Sequence, residues 1–334
     1  MDVPVWAWIV TVLAILAMLA VDYVGHVRTP HAPTLKESAW WSVAYVAVAM
    51  IFGLIVLAAW GPQYGGEYFA GYITEKSLSV DNLFVFVLIM TSFRVPREHQ
   101  QRVLLIGITI ALVLRTIFIF AGAALIANFA WIFYLFGAFL IWTAIAQARA
   151  GTDHDEEYTE NGVLRLTRRI FPTTDDYVDH HMVTTIDGKR YITPMLIVMI
   201  AIGSADLLFA VDSIPAIFGL TQETFLVFAA NAFSLLGLRQ LYFLVDGLLD
   251  RLVYLNYGLA AILGFIGVKL VIHALHTNEL PFVNGGEHVE AIPEISTTVS
   301  LSFIVVVLTI TTVASLARSR RDARVGSRTP ERDA

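Results

Sequence analysis

Long apolar runs, each broken by few polar positions, organise this chain. Stretches rich in Leu, Ala, Ile, Val and Phe recur at roughly 5–27, 40–60, 67–92, 102–125, 128–148, 194–219, 224–246, 252–276 and 297–317. About 20 mostly apolar residues suffice for a helix to cross the hydrocarbon of a bilayer, so the pattern predicts nine transmembrane helices. The strict alternation of a membrane barrel is absent. Composition agrees: 57% of the 334 residues are hydrophobic, 15% are charged and the mean hydropathy is +0.68, too apolar for an ordinary soluble domain. The expected fold class is an all-α, polytopic membrane protein.

Lys and Arg then orient the predicted helices. Of the 22, 18 fall on alternate connections: Arg28 and Lys36; Arg94, Arg97 and Arg102; six from Arg149 to Arg190; Arg251; and six from Arg318 to Arg332. The other connections carry none. The positive-inside rule places those 18 in the cytoplasm, with the N-terminus outside and the C-terminus inside a plasma (inner) membrane. Before the first apolar run the only charge is Asp2, so it reads as a retained span and not a cleaved signal peptide. There is no cysteine, which excludes disulfides, thiolate metal sites and Cys nucleophiles. No nucleic-acid-binding motif is present, and no tightly bound cofactor or enzymatic activity is expected.

Ten charges lie inside the runs, beyond their first residues: Lys76, Arg115, Arg239 and Lys269, and the acids Asp22, Glu75, Asp81, Asp206, Asp212 and Asp246. A charge at the centre of a span costs roughly 2.5–3.5 kcal/mol on insertion scales, so such groups face an interior path and pair. Asp22 and Asp246 lie near span ends, where snorkelling is open to them. Asp22, followed by Tyr23 and His26, has the better claim to an interior role.

The acids are arranged as a repeat. "EKSLSVDNLF" from Glu75 matches "DLLFAVDSIP" from Asp206: acid, five residues of which the last is Val, then Asp, a small polar residue (Asn82 or Ser213) and an aliphatic. Each acidic span precedes one with an internal Arg, Arg115 or Arg239, and each set closes with a Gly-bearing span. Two three-span units then run in opposite orientation, an inverted repeat with its site near the midplane. The expected organisation is two peripheral helices over 1–60, repeats over 66–148 and 194–276 separated by a loop over 149–193, and an outer loop, last helix and basic tail over 277–334.

At about 100° per residue, Glu75, Ser79 and Asn82 share one helical face, while Asp81 and Asp212 sit about 120° from their partner acids. An unwound turn would aim both acids of a span at one point, and Pro215, which cannot bond the Val211 carbonyl, loosens that turn in the second repeat. Four carboxylates, an amide and hydroxyls form an all-oxygen set suited to a hard divalent ion such as magnesium, calcium or manganese. Lys76, Arg115 and Arg239 are the candidate counter-charges, and proton exchange at the same acids is a natural coupling device.

The paired motifs, with "TDDY" at 174–177 and "DGKRYITP" before the sixth span, resemble the signatures of the TerC family of integral membrane proteins, associated with tellurite resistance, in its Alx-like branch. The resemblance implies a fold akin to LysE-type exporters and a role in metal homeostasis as manganese efflux. It also implies that Glu75, Asp81, Asn82, Asp206, Asp212 and Ser213 hold the metal. The alternative is a proton-coupled exporter of a small organic solute such as an amino acid, whose carboxylate Arg115 or Arg239 would anchor. A hydrolase using two Asp ranks behind both, since the Gly-x-Gly-Asp motif of aspartyl intramembrane proteases is missing.

Asp153–Glu157, Asp179–His181 and the loop before the last span read mainly as solvated loops. "VTTIDGKRY" predicts a small hairpin turning at Asp187–Gly188. Asp153–Glu157 and Asp179–His181 carry metal-binding residue types. The loop before the last span holds Glu279, Glu287, Glu290 and Glu294 without Lys or Arg, a field that attracts cations. The Arg-rich tail serves as an orientation signal and a contact for anionic lipid.

Overall fold

The computed structural model describes the chain apart from residues 25–33, 151–163, 166, 168, 170, 175–181, 187, 188, 246–252, 279, 282, 290, 291 and 327–334, and apart from the side chains of 80, 81, 84, 98, 150, 245, 320 and 322–326. Its long helical elements follow the predicted runs: α1 (Val5–Asp22), α2 (Leu35–Trp60), α3 (Pro62–Ser92), α4 (Arg97–Asn128), α5 (Ile132–Ala150), α6 (Pro194–Phe218), α7 (Thr224–Leu236) continued by α8 (Leu238–Val245), α9 (Leu255–His276) and α10 (Thr297–Gly326). Among the described residues, eight such elements are long and apolar enough to cross a membrane, counting α7 and α8 as one. Only α3 falls short on composition, because Glu67, Glu75, Lys76 and Asp81 all lie on it. The protein is an all-α polytopic membrane protein.

Position in the bundle follows from how much of each helix is covered. Buried positions make up 22% of the apolar window in α1 and in α2 and 17% in α10, against 89% across Thr224–Leu244. The first two helices and the last are therefore peripheral, and α7 is central. Packing within the centre is reciprocal. The first helix of one three-helix set, α3, packs on α7, the second helix of the other; likewise α6 packs on α4. The third helices, α5 and α9, pack on each other. Gly107 of α4 faces Ile202 of α6, and Gly122 faces Phe218, so α4 and α6 run parallel. Between α5 and α9 the order reverses, with Gly137 against Gly267 and Ala144 against Gly264. Two oppositely oriented three-helix units produce this arrangement.

Backbone contact at Gly137 and Gly267 is close enough to exclude any side chain. A Cβ at 137 would lie 2.8 Å from the Gly267 carbonyl oxygen, and one at 267 would lie 2.9 Å from that of Gly137. Small residues are what let membrane helices approach this way, where packing replaces the hydrophobic effect. Gly137→Ala is expected to lower the melting temperature of the purified protein, at a cost of about 1–3 kcal/mol. Gly66→Ala, whose Cβ would meet only a Thr297 methyl at 3.8 Å, should not. Equal melting for both variants would contradict the packing.

Two breaks matter for the site. Gly61, at φ +97° and ψ 174° with open space around its Cβ position, turns the chain directly from α2 into α3, a backbone conformation essentially confined to glycine that costs a side chain about 1–3 kcal/mol. At Gly237 the α7–α8 element is interrupted. Outside the bundle, β1 (Val183–Ile186) pairs antiparallel with β2 (Lys189–Ile192), Ile186 opposite Lys189. Asp187 and Gly188, the expected turn, lie outside the described residues, as do Asp153–Glu157, Asp179–His181, Asp246, Glu279 and Glu290.

Candidate cation site

Helix α4 carries Arg115 into the space between α3 and α6. Its guanidinium is fully buried, as is Glu75, and Asp206 is buried too. Nε donates to Asp206 Oδ2 at 3.0 Å and Nη2 to Asp206 Oδ1 at 3.0 Å, a bidentate pair. Nη1 donates to Glu75 Oε1 and to Ser213 Oγ, the latter at 3.1 Å. Asn82, with its amide oriented so that nitrogen donates to the Leu78 carbonyl, places its oxygen 3.2 Å from Nη2. One arginine thus joins the first acid of each repeat, and every nitrogen of its guanidinium has an acceptor.

Asn231 completes the cluster from α7. Its Nδ2 donates to Glu75 Oε1 at 2.9 Å, and its side chain is buried. Arg115 and Asn231 therefore hold corresponding places: each reaches from the second helix of its unit to the acid on the first helix of the other. Two oxygens of the cluster are left over. Glu75 Oε2 and Asn231 Oδ1 are buried with no hydrogen-bond partner, and each such group costs about 1–3 kcal/mol of lost hydration.

Not every residue singled out by sequence converges here. Glu75, Asn82, Asp206, Ser213 and Arg115 are together. Asp212 is half-buried and lies within the electrostatic reach of Arg115. The side chain of Asp81 is outside the described residues. Helices α3 and α6 are continuous through their acids, which corrects the expected unwound turn: Pro215 sits in the last turn of α6, too close to the helix end to open the segment between Asp206 and Asp212. Successive acids on one helix then point apart, and among the described residues no three acids or histidines are placed to hold a metal ion. The acids meet across helices, through Arg115.

Arg239, Asp22 and Lys76 belong elsewhere. Arg239 on α8 donates from Nη2 to Asp22 Oδ1 at 2.7 Å, and Tyr45 of α2 donates to the same oxygen at 2.5 Å. This buried group ties α1 and α2 to α8; Arg239 does not counter-charge Glu75 or Asp206. The reason is the break at Gly237, which sets Arg239 beyond the end of α7, while Asn231 occupies the level of the acids. Lys76 donates to the Ser234 carbonyl at 3.1 Å, one of the carbonyls that the end of α7 leaves without an intrahelical partner, and a cation there complements the helix dipole. Ser79 and Ser234 approach at 3.4 Å between the same helices.

Sequence reasoning missed Asn231 and Glu67. Glu67, at the edge of a predicted span, is buried; Thr221 Oγ1 donates to its Oε2 at 2.6 Å and Gln63 Nε2 to its Oε1 at 3.0 Å. It lines a cavity of about 490 Å³ at the bundle end formed by the start of α3, the α6–α7 connection, the end of α9 and the start of α10, together with Lys269, His273 and Glu294.

Comparison with known proteins follows the same residues. The model described as "Integral membrane protein TerC family" matches residues 60–323. An uncharacterized membrane protein of Mycobacterium tuberculosis is 54% identical over 95% of this chain and 80% of its own length. Another from Myxococcus xanthus is 40% identical over 94% of this chain and 92% of its own. A protein of Escherichia coli named as membrane-bound redox modulator Alx is 40% identical over 80% of this chain and 85% of its own. No solved structure matches.

Proposed function

This chain belongs to the TerC family of integral membrane proteins, and from that premise we propose that it exports a divalent metal cation, manganese before others, through the buried acids of its two repeats. The observation that carries the reading is Arg115 bridging Glu75 and Asp206, one acid from each unit. Inverted-repeat folds hold cargo near the midplane between opposite repeats, and a buried cation that joins an acid of each repeat supports placing the site there. In the arrangement described, the guanidinium neutralises the carboxylates. Cargo would take its place: as Arg115 swings away, Glu75, Asp206, Ser213 and Asn82 present oxygens to a hard ion. Asp81 and Asp212 would add charge, and proton exchange at the acids would supply coupling.

As the carboxylate anchor of an amino-acid exporter, Arg115 is disfavoured by the same geometry, because its guanidinium nitrogens are already engaged. That leaves Arg239, with Nε and Nη1 buried and without a hydrogen-bond partner, as the anchor that reading would use. A redox role, which the name of the Escherichia coli relative states for that protein, would not run through thiols of these 334 residues, which include no cysteine. The reading is tested by cellular metal content with and without expression, across manganese, iron, zinc, calcium and magnesium. Lower manganese on expression supports it; unchanged manganese contradicts it.

Orientation is part of the proposal. The 18 loop cations put the C-terminus and the 149–193 loop in the cytoplasm of a cell with this protein in its plasma membrane. The Glu67 cavity then opens outward, and the Asp22–Arg239–Tyr45 group lies toward the inside. A C-terminal fusion is expected to report the cytoplasmic side. A fusion active on the outer side, or a tag in the loop labelled from outside, contradicts this topology.

A further inference from the structure

We infer that Asn231 is a cargo ligand, and that Asn231 Oδ1 and Glu75 Oε2, the two oxygens of the cluster that Arg115 does not hold, form the first docking point of the divalent cation. The inference rests on the reading of Glu75 as a cargo group. Glu75 Oε1 is doubly used, accepting from Arg115 Nη1 and from Asn231 Nδ2 at 2.9 Å. Those two bonds leave one carboxylate oxygen and one amide oxygen, on side chains already joined, both buried and both without a partner. Both are acceptors, so neither can satisfy the other. A hard cation satisfies both at once, and oxygen is the donor type it selects.

The neighbourhood of these two oxygens is polar and already holds one fixed cation, Lys76 on the Ser234 carbonyl. Helices α3 and α7 face each other along a polar seam, with Ser79 against Ser234 at 3.4 Å one turn beyond Glu75 and Asn231. Arg115 bonds only Oε1 of Glu75, and its pairing with Asp206 is bidentate. An ion docking on Oε2 and Oδ1 therefore needs no prior departure of the guanidinium. It weakens the hold of Glu75 on Arg115 by drawing carboxylate charge to itself, and Asp206 is uncovered second. Uptake becomes a hand-over in which the buried carboxylates are never left without a cation. Glycine at 71, whose missing Cβ would meet Ala230 at 3.4 Å and Ile217 at 3.5 Å, keeps α3, α6 and α7 close one turn before the pair.

Manganese binding by the purified full chain in detergent, read from the loss of the free-ion electron paramagnetic resonance signal, tests this. Asn231→Asp keeps the size and adds a negative oxygen; it should bind manganese at least tenfold tighter than the parent. Asn231→Leu keeps the bulk and removes the acceptor; it should bind at least tenfold more weakly. Affinities of Asn231→Asp within threefold of the parent overturn the inference even if the leucine variant does not fold. Glu75→Gln separates the two levels. If it abolishes binding while both Asn231 variants match the parent, the docking role of Asn231 fails and the cargo site stands. Binding unchanged in Glu75→Gln overturns both.

Discussion

Asp206→Asn and Glu75→Gln should each reduce manganese efflux by at least about tenfold to a hundredfold, the loss caused by removing even an outer partner of a metal ligand, with normal protein level in the membrane. Each single change removes one negative charge, yet Arg115 keeps the other carboxylate, because it bonds both. The double variant is different. With Glu75 and Asp206 both neutral, Arg115 is a buried cation facing amides and Ser213, and losing the partners of a buried charge costs about 3–5 kcal/mol. Folded protein should fall sharply in the double variant and not in either single one. That non-additivity is a signature of a shared cation, and membrane level measured beside efflux reads it directly. Normal efflux in either single variant would remove that acid from the transport site.

Arg115→Gln carries the second large effect. It leaves Glu75 and Asp206, both buried, with no cation between them. Stranding two carboxylates should destabilise the purified protein by about 3–5 kcal/mol in the absence of metal. Manganese should then do what the guanidinium did. A ligand that binds only the folded state adds about 2.7 kcal/mol at a hundred times its dissociation constant. The melting temperature of the variant is therefore expected to rise with manganese far more than that of the parent, in which the metal must compete with Arg115. Efflux should be low, because nothing displaces the bound ion. A variant as stable as the parent without metal, and indifferent to manganese, would reduce Arg115 to a packing residue.

Much of this site was legible before the structure. The two acidic motifs, their opposite orientation and the need for a counter-charge follow from the periodicity and from the segregation of Lys and Arg. Pairing was not legible. "LVLRTIF" around Arg115 and "LGLRQLY" around Arg239 look alike, but Gly237 ends α7 before Arg239, and that residue joins Asp22 and Tyr45 instead. Asn231 sits in "FAANAFS", where one amide in an apolar helix carries no periodic signal. Its role emerges only from a partner 156 residues away. Glu67 was hidden for another reason: α3 starts at Pro62, one residue after α2 ends, so a residue at the edge of an apolar run lies within the bundle. Pro215 misled because its position relative to the helix end, not its identity, decides whether it opens a turn.

The central claim is that the acids gathered by Arg115 carry the metal across the membrane. The most direct test is manganese flux in proteoliposomes containing the full chain, with a manganese-sensitive dye inside and matched amounts of parent and Asp206→Asn protein. Manganese entering the parent vesicles under an opposing proton gradient, with Asp206→Asn vesicles indistinguishable from empty ones, is the predicted result. Equal flux through both proteins, or none through the parent, would contradict it.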